Sequence, residues 1–165
     1  MAREYDEALS EAHLATELNP NAADAMQALG AAQMISGSPE EGIESLLQAL
    51  RLNPRDPAHF ITYCYLSISY FLAGNYPKAV EWGRKSKRAA PNYAIGVGAL
   101  AQALAGDGQL DAARIEIEAL RKLAPDFLQA RLDGNSPFAV AEHRERQVRL
   151  LRLAAGEAEI KQPKL

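Results

Sequence analysis

Residues 60–91 read FITYCYLSISYFLAGNYPKAVEWGRKSKRAAP, and this pattern predicts two short helices joined by a tight turn. An apolar run ends at Gly74, a second helical stretch starts at Pro77, and Pro91 closes the unit. Glycine supplies the left-handed backbone that ends many helices, and proline is favoured at the first position of the next one. The same order of signals recurs elsewhere in the chain.

Four prolines mark the ends of successive units. Proline cannot continue a helix, and it disfavours helix in the residue before it. Successive spacings of 34, 37 and 34 residues separate Pro20, Pro54, Pro91 and Pro125. A period of about 34 residues built from two helices is the tetratricopeptide spacing.

Large and small residues also recur at fixed places inside the units. Small residues are expected where the two helices of a unit cross closely, and large ones where successive units meet. The units begin at Ala23, Phe60 and Ala94, and examples of the recurring positions are Leu29, Gly30, Gly42 and Leu46; Leu66, Ser67 and Ala79; and Leu100, Ala101, Ala113 and Ile117. Residues 5–125 therefore resemble tetratricopeptide repeats. The resemblance implies an all-α fold, an α-α superhelix of antiparallel helix pairs with a C-terminal capping helix.

Two departures from the family pattern stand out. Three extra residues lie around Arg55–His59, where we expect a surface turn. Gly83 occupies a position that usually carries a bulky residue.

We expect a single domain over residues 1–156. It divides into a half repeat at 5–20, full repeats at 23–54, 60–91 and 94–125, a capping segment at 126–156 whose last helix runs from about Phe138 to Ala155, and a flexible tail at 157–165. The half repeat lacks the first helix of its unit. Three explanations stay open: the chain is a fragment of a longer protein, which we favour, another chain covers the exposed face, or the lone helix is a cap.

Residues 59–156 have a narrower resemblance. The motifs are YFLAGNY at 70–76, LAGDGQ at 104–109, PDF at 125–127, PF at 137–138 and LLRLAAG at 150–156. They are similar to the C-terminal repeat tails that follow class III adenylate or guanylate cyclase domains, or winged-helix regulator domains, in bacteria. The resemblance implies a regulatory module, although the sequence contains no recognisable cyclase catalytic residues and no winged-helix domain.

Composition limits the class of protein. The chain has 165 residues, 48% hydrophobic and 24% charged, which is ordinary for a soluble domain. The single cysteine, Cys64, excludes a disulfide framework and a cysteine zinc site. The acidic start lacks the basic and apolar regions of a signal peptide, so we expect a cytoplasmic protein. The net charge of −3 argues against a nucleic-acid partner, and no apolar run approaches a membrane span.

Charge is distributed unevenly. Residues 1–80 carry four basic and ten acidic side chains, whereas residues 81–165 carry fourteen basic and eleven acidic ones. Attraction between the acidic residues 1–80 of one chain and the basic residues 81–165 of another would favour head-to-tail contacts. The alternative function is therefore a free-standing repeat protein whose role is homo-oligomeric assembly, although solvated helix faces explain the same pattern.

The sequence predicts no enzyme. Residues 37–42 have the glycine spacing of a phosphate loop, but Ile43 and Glu44 stand where Lys and Ser or Thr are needed. The three histidines are scattered, so we expect no catalytic, cofactor or metal residues. Glu116 and Glu118 are expected on a solvated helix surface, and Cys64 is expected to be a small buried apolar residue.

The first helices of the units line the concave groove of a tetratricopeptide stack. By register the groove positions are Asp24, Gln27, Ala31, Ile61, Cys64, Ile68, Ile95, Gly98 and Gln102. Chaperone-binding members of the family hold a peptide carboxylate with Lys, Asn and Arg, and none of these types is in the set. The groove is predicted to be apolar and nearly neutral. It suits an amphipathic helix or an extended apolar peptide, or it is filled by the chain's own C-terminal helix, by a missing N-terminal helix or by a second copy. The leading hypothesis is a non-catalytic protein-interaction scaffold, a regulatory module of a bacterial signalling protein.

Overall fold

The structure is a computed structural model that describes residues 2–157, with side chains from Glu4 onward. This part of the chain is entirely α-helical apart from turns and links, so the predicted all-α fold is confirmed. Its nine helices are α1 Ala2–Leu18, α2 Ala23–Ser36, α3 Pro39–Leu52, α4 His59–Leu72, α5 Tyr76–Ala89, α6 Ala94–Gly106, α7 Leu110–Leu123, α8 Pro125–Leu132 and α9 Ala141–Ala155. The predicted flexible tail lies outside the described residues except for Glu157. None of the helices in residues 2–157 combines the length and apolar character that a membrane crossing requires.

Helices pack as consecutive antiparallel pairs, α2 with α3, α4 with α5 and α6 with α7. A glycine with positive φ lies in the turn of each pair: Gly37 at 111°, Gly74 at 78° and Gly108 at 77°. Other residues are strained in this conformation, so glycine lets the chain reverse between the two helices. We name the first helix of each pair an A helix and the second a B helix.

The A helices share one surface of the stack. Helix α4 contacts both α2 and α6, and α8 lies beyond α6, with Phe127 packed close to Gly98. We therefore count α8 as a fourth A helix. The surface formed by α2, α4, α6 and α8 is named the A-helix face.

The two helices of the first pair approach until their backbones nearly touch. A Cβ atom on Gly42 would lie 2.9 Å from the carbonyl oxygen of Gly30 and 3.2 Å from the nitrogen of Met34. Only glycine permits this approach, because a side chain would push the helices apart. In the second pair Ser67 takes the small position, and its Oγ donates to the carbonyl oxygen of Ala79 at 2.8 Å.

Gly83 lies where α5 meets both A helices beside it. A Cβ there would lie 2.9 Å from Ser67 Oγ on α4 and 3.1 Å from the Cα of Leu100 on α6. This crowding explains why a bulky residue of the family pattern is absent. The three extra residues fall within the link at 53–58, a mostly exposed turn before α4 begins at His59.

The core is centred on α4 and α6. Phe71, Leu66 and Cys64 of α4 are each 0% exposed. Burial raises the pKa of the Cys64 thiol to about 12, because the thiolate would have to form away from water. Cys64 is therefore a small buried apolar residue, as predicted, and is not a nucleophile at neutral pH.

Helix α1 packs on α2 along one side only. Its buried residues are Ala12 and Thr16, each 8% exposed, whereas Leu14 and Leu18 are 55% and 78% exposed. The helix therefore presents two leucines to solvent on the opposite side.

The last helix begins three residues later than predicted, at Ala141 rather than near Phe138. The N–H of Ala139 donates to the carbonyl oxygen of Ile35 at 2.9 Å, and Val140 is extended, with φ −77° and ψ 123°. Because Ala139 is bonded to α2, residues 138–140 do not form part of α9. The sequence pattern predicts an apolar stripe of Val140, Val148, Leu151 and Ala155. The buried residues of α9 are instead Gln147, Leu151 and Ala154.

Substitution of Gly42 by alanine tests the close helix crossing. Gly42→Ala should lower the free energy of unfolding by about 1–3 kcal/mol, because the new methyl group meets backbone atoms that cannot move independently. This loss is the net change, after the gain of about 1 kcal/mol from the better helix propensity of alanine. Chemical denaturation measures the change, and Glu44→Ala, an exposed position on the same helix, is the control. Equal or greater stability of Gly42→Ala would contradict the crossing.

The burial of Cys64 predicts that its thiol is protected. A Ser10→Cys variant places a second thiol at an exposed position of α1 in the same molecule. The added thiol should react with Ellman's reagent at once, whereas Cys64 should react only at the rate at which the protein unfolds. Two fast thiols in the folded protein would place Cys64 at the surface.

Candidate functional site

The A-helix face is covered by the end of the chain itself. Residues 137–156, which we name the return segment, cross this face. Ala139 bonds to Ile35 on α2, and Val140 packs against Gly37, where an added Cβ would lie 2.7 Å from its Cγ2. Arg146 donates to a carbonyl oxygen 74 residues earlier in the chain. Of the occupants considered from the sequence, the structure therefore places the chain's own C-terminal helix in the groove.

Arginines anchor the return segment through backbone carbonyl groups. Arg146 Nη2 donates to the oxygen of Leu72, the last residue of α4, at 2.6 Å. Arg152 Nε donates to the oxygen of Leu132, the last residue of α8, at 3.0 Å. Terminal carbonyls of a helix carry partial negative charge, which favours a cation there. The sequence pattern predicts that Arg144, Arg146, Arg149 and Arg152 lie on a polar outer face of this helix. Of these, only Arg149 is exposed, whereas the other three are half-buried and donate to backbone carbonyl groups.

Two glutamines meet where the return segment contacts α6. Gln147 Nε2 donates to Gln102 Oε1 on α6, and the two residues are only 5% and 2% exposed. Phe138 and Leu151 are buried beside them, at 3% and 2% exposure. The contact between the segment and the A-helix face therefore combines apolar packing with one buried amide pair.

A cavity of about 200 Å³ remains between the A-helix face and the return segment. All four A helices contribute to its wall, together with Phe138, Gln147 and Leu151 of the return segment. Most of the lining is apolar, which is the usual composition of a ligand pocket, with a few polar groups at defined places.

The structure brings four of the nine predicted groove residues together in the cavity wall: Ile68, Ile95, Gly98 and Gln102. The other five lie elsewhere. Gln27 donates to Thr62 Oγ1 at 2.6 Å and joins α2 to α4. Asp24 is exposed, Ala31 and Ile61 are half-buried, and Cys64 is in the core.

Several lining residues were missed by the sequence reasoning. Three of them lie one helical turn from predicted groove positions: Met34, Ile35 and Tyr65. A wider stripe of groove positions on α2 and α4 would have included them. Phe127 and Arg131 lie on α8, which the sequence assigned to the cap. The signal for α8 was Pro125, which starts this helix one repeat length after Pro91.

Arg131 makes the face less neutral than predicted. Its guanidinium lies 4.7 Å from the centre of the Phe127 ring and donates to the carbonyl oxygen of Asn135. Burial lowers its pKa from the ordinary value. The cation is therefore held against the aromatic wall of the cavity.

Glu116 corrects another expectation. It is 8% exposed rather than solvated, and both its carboxylate oxygens accept from Lys87 Nζ at 2.7 Å. Helix α7 packs this position toward α5, and a buried carboxylate requires such a partner. Glu118 is exposed, as expected.

No group of three His, Cys, Asp or Glu side chains within the described residues could hold a metal ion. His143 lies near the start of α9, where burial, and then the charge of Arg146, lower the pKa of its imidazole. The neutral ring is therefore favoured at this position.

Solved structures with the same architecture match most of the chain. A crystal structure of MamA superposes with a TM-score of 0.65 and 21% identity, over 93% of this chain and 88% of that one. YrrB, described as a TPR protein with an unusual peptide-binding site, superposes with a TM-score of 0.60 and 20% identity, over 96% of this chain and 80% of that one. Identities this low establish the fold alone.

The sequence itself matches the tetratricopeptide repeat family over residues 2–57 and 36–94, which together make up more than half of the chain. No curated protein matches it. The repeat spacing, the paired helices and this match agree, and the chain belongs to the tetratricopeptide repeat family.

Proposed function

We propose that this protein is a non-catalytic interaction scaffold that binds a helix or an apolar peptide on its A-helix face. The non-catalytic role is in keeping with the general role of tetratricopeptide repeats as interaction modules. We further propose that it is a regulatory module of a bacterial signalling protein and acts in the cytoplasm. The resemblance of residues 59–156 to the repeat tails of bacterial cyclases and winged-helix regulators supports this context.

The return segment is the observation that carries the proposal. A non-helical stretch at 137–140 and a helix already lie on this face, bound through the Ile35 carbonyl, the Leu72 carbonyl and Gln102. The face therefore offers backbone acceptors, a buried amide and an apolar wall, which suit a peptide of the same kind. A partner helix would take the place of the return segment, and the link at 133–140 is where the chain would open. The peptide-binding site named for YrrB supports the same type of ligand.

A matched pair of isoleucines tests the proposed surface. Ile95 lies in the cavity wall and is 38% exposed, whereas Ile115 is on a B helix and is 67% exposed. Peptides selected from a random display library for binding to the chain should bind Ile95→Glu about tenfold more weakly or worse, because a bound peptide would bury the new carboxylate. Ile115→Glu should bind them like the unmodified chain. Fluorescence anisotropy measures both affinities.

The reverse pattern would reject this surface. Selected peptides that bind Ile95→Glu normally and lose affinity for Ile115→Glu would move the site to the B helices. Circular dichroism of both variants checks that the helices are intact.

Homo-oligomeric assembly is the second candidate, and α1 is the observation that favours it. The helix carries the acidic side chains Glu4, Asp6, Glu7, Glu11 and Glu17. It also exposes Leu14 and Leu18, which suits contact with a basic surface that contains apolar positions.

Light scattering over a salt series tests this assembly. The mass should exceed that of the monomer at low salt and fall as salt screens the charges. Leu14→Gln with Leu18→Gln should lower it as well. A monomer at every salt concentration would exclude charge-driven assembly and leave the interaction scaffold unaffected.

A further inference from the structure

Two glutamines in the wall of the cavity beneath the return segment carry an unused hydrogen-bond donor and an unused acceptor. Gln102 and Gln147 share one hydrogen bond, from Gln147 Nε2 to Gln102 Oε1. Gln102 Nε2 and Gln147 Oε1 have no partner among the described residues, although both side chains are more than nine-tenths buried and line the cavity.

Polar atoms in such surroundings normally have partners. The large majority of buried side-chain polar atoms in proteins are hydrogen-bonded, since an unpaired one loses its contact with water and gains nothing. Here the unpaired donor and acceptor belong to one bonded amide pair, on either side of the contact between α6 and α9. Both atoms are closed off from the cavity in this structure. A single group that both accepts and donates would satisfy them together once the two side-chain amides turn toward the cavity.

The other residues of the cavity wall determine which kind of apolar group would fit in the cavity. Ile68, Ile95, Phe127, Phe138 and Leu151 supply an apolar surface. An apolar cavity of about 150 Å³ in another protein takes up benzene. The volume here, about 200 Å³, has room for a benzyl or isobutyl group.

We propose that the cavity binds an apolar group of benzyl or isobutyl size that carries a carboxamide. The amide carbonyl accepts from Gln102 Nε2, the amide N–H donates to Gln147 Oε1, and the apolar group lies against Phe127 and Phe138. Two sources share this chemistry: a phenylalanine or leucine residue within a peptide, and a free small amide. Both sources bind while the return segment, with Gln147, stays in place, so neither depends on the displacement of that segment in the proposed function.

Matched ligands test the amide contact on the full chain. Phenylacetamide represents a free amide, N-acetyl-L-phenylalaninamide represents a peptide residue, and isobutylbenzene has the shape of phenylacetamide without its polar atoms. At least one amide should bind and shift the side-chain amide NMR signals of Gln102 and Gln147. Isobutylbenzene should bind the unmodified chain about tenfold more weakly or worse.

Replacement of both glutamines should invert this preference. The double variant Gln102→Leu with Gln147→Leu removes both partners at once, which avoids a single orphaned amide. It should lose about tenfold or more in affinity for the amide and gain affinity for isobutylbenzene. Gln48→Leu on α3, outside the cavity wall, is the control and should behave like the unmodified chain. If the double variant does not fold, the NMR comparison of the matched ligands still decides the question.

The outcomes separate the two sources and the two proposals. Binding of N-acetyl-L-phenylalaninamide alone assigns a peptide residue, binding of phenylacetamide alone assigns a free amide, and binding of both supports the shared chemistry. Binding of isobutylbenzene as tight as that of phenylacetamide overturns the inference, because the amide contact then contributes nothing. The absence of binding by either amide overturns it as well. Because the Ile95 and Ile115 variants test the A-helix face without these ligands, the proposed function can stand when this inference fails.

Discussion

The stack depends on the close approach of helix backbones at positions without side chains. Gly30 and Gly42 let α2 and α3 cross with backbone atoms in near contact, and Gly83 does the same where α5 meets α4 and α6. A repeat helix cannot bury its apolar side alone, so each helix needs a neighbour at this distance. The buried core of α4 and α6, including Phe71 and Leu66, follows from that spacing.

The return segment is held differently from the core. Its contacts are the Ala139 and Arg146 bonds to carbonyl oxygens, the Gln102–Gln147 amide pair and a few buried apolar side chains. Hydrogen bonds from charged groups contribute about 1.5–3 kcal/mol each, and only when their geometry is kept. The core is stabilised instead by close apolar packing, whereas a cavity of about 200 Å³ remains between the return segment and the A-helix face. This contrast is why we propose ligand binding on this surface.

How well the site could be predicted depends on how far apart in the sequence the contacting residues lie. Ile68, Ile95, Gly98 and Gln102 could be named in advance, since a repeat register sets which positions of an A helix share a face. The same register placed Cys64 in the groove, but this residue lies in the core. Lys87 and Glu116 are 29 residues apart, so no local pattern announces their ion pair.

The sequence by itself determined the helix pairs, their turns and their period, because glycine, proline and small residues act through the local backbone. It also indicated the family and the type of surface that the A helices form. Only the tertiary structure decided that residues 137–156 return across that surface, that Phe138 lies outside the last helix, and that Gln102 meets Gln147. These outcomes depend on contacts between residues more than 40 positions apart, which compete with local helix formation and cannot be read from either partner alone.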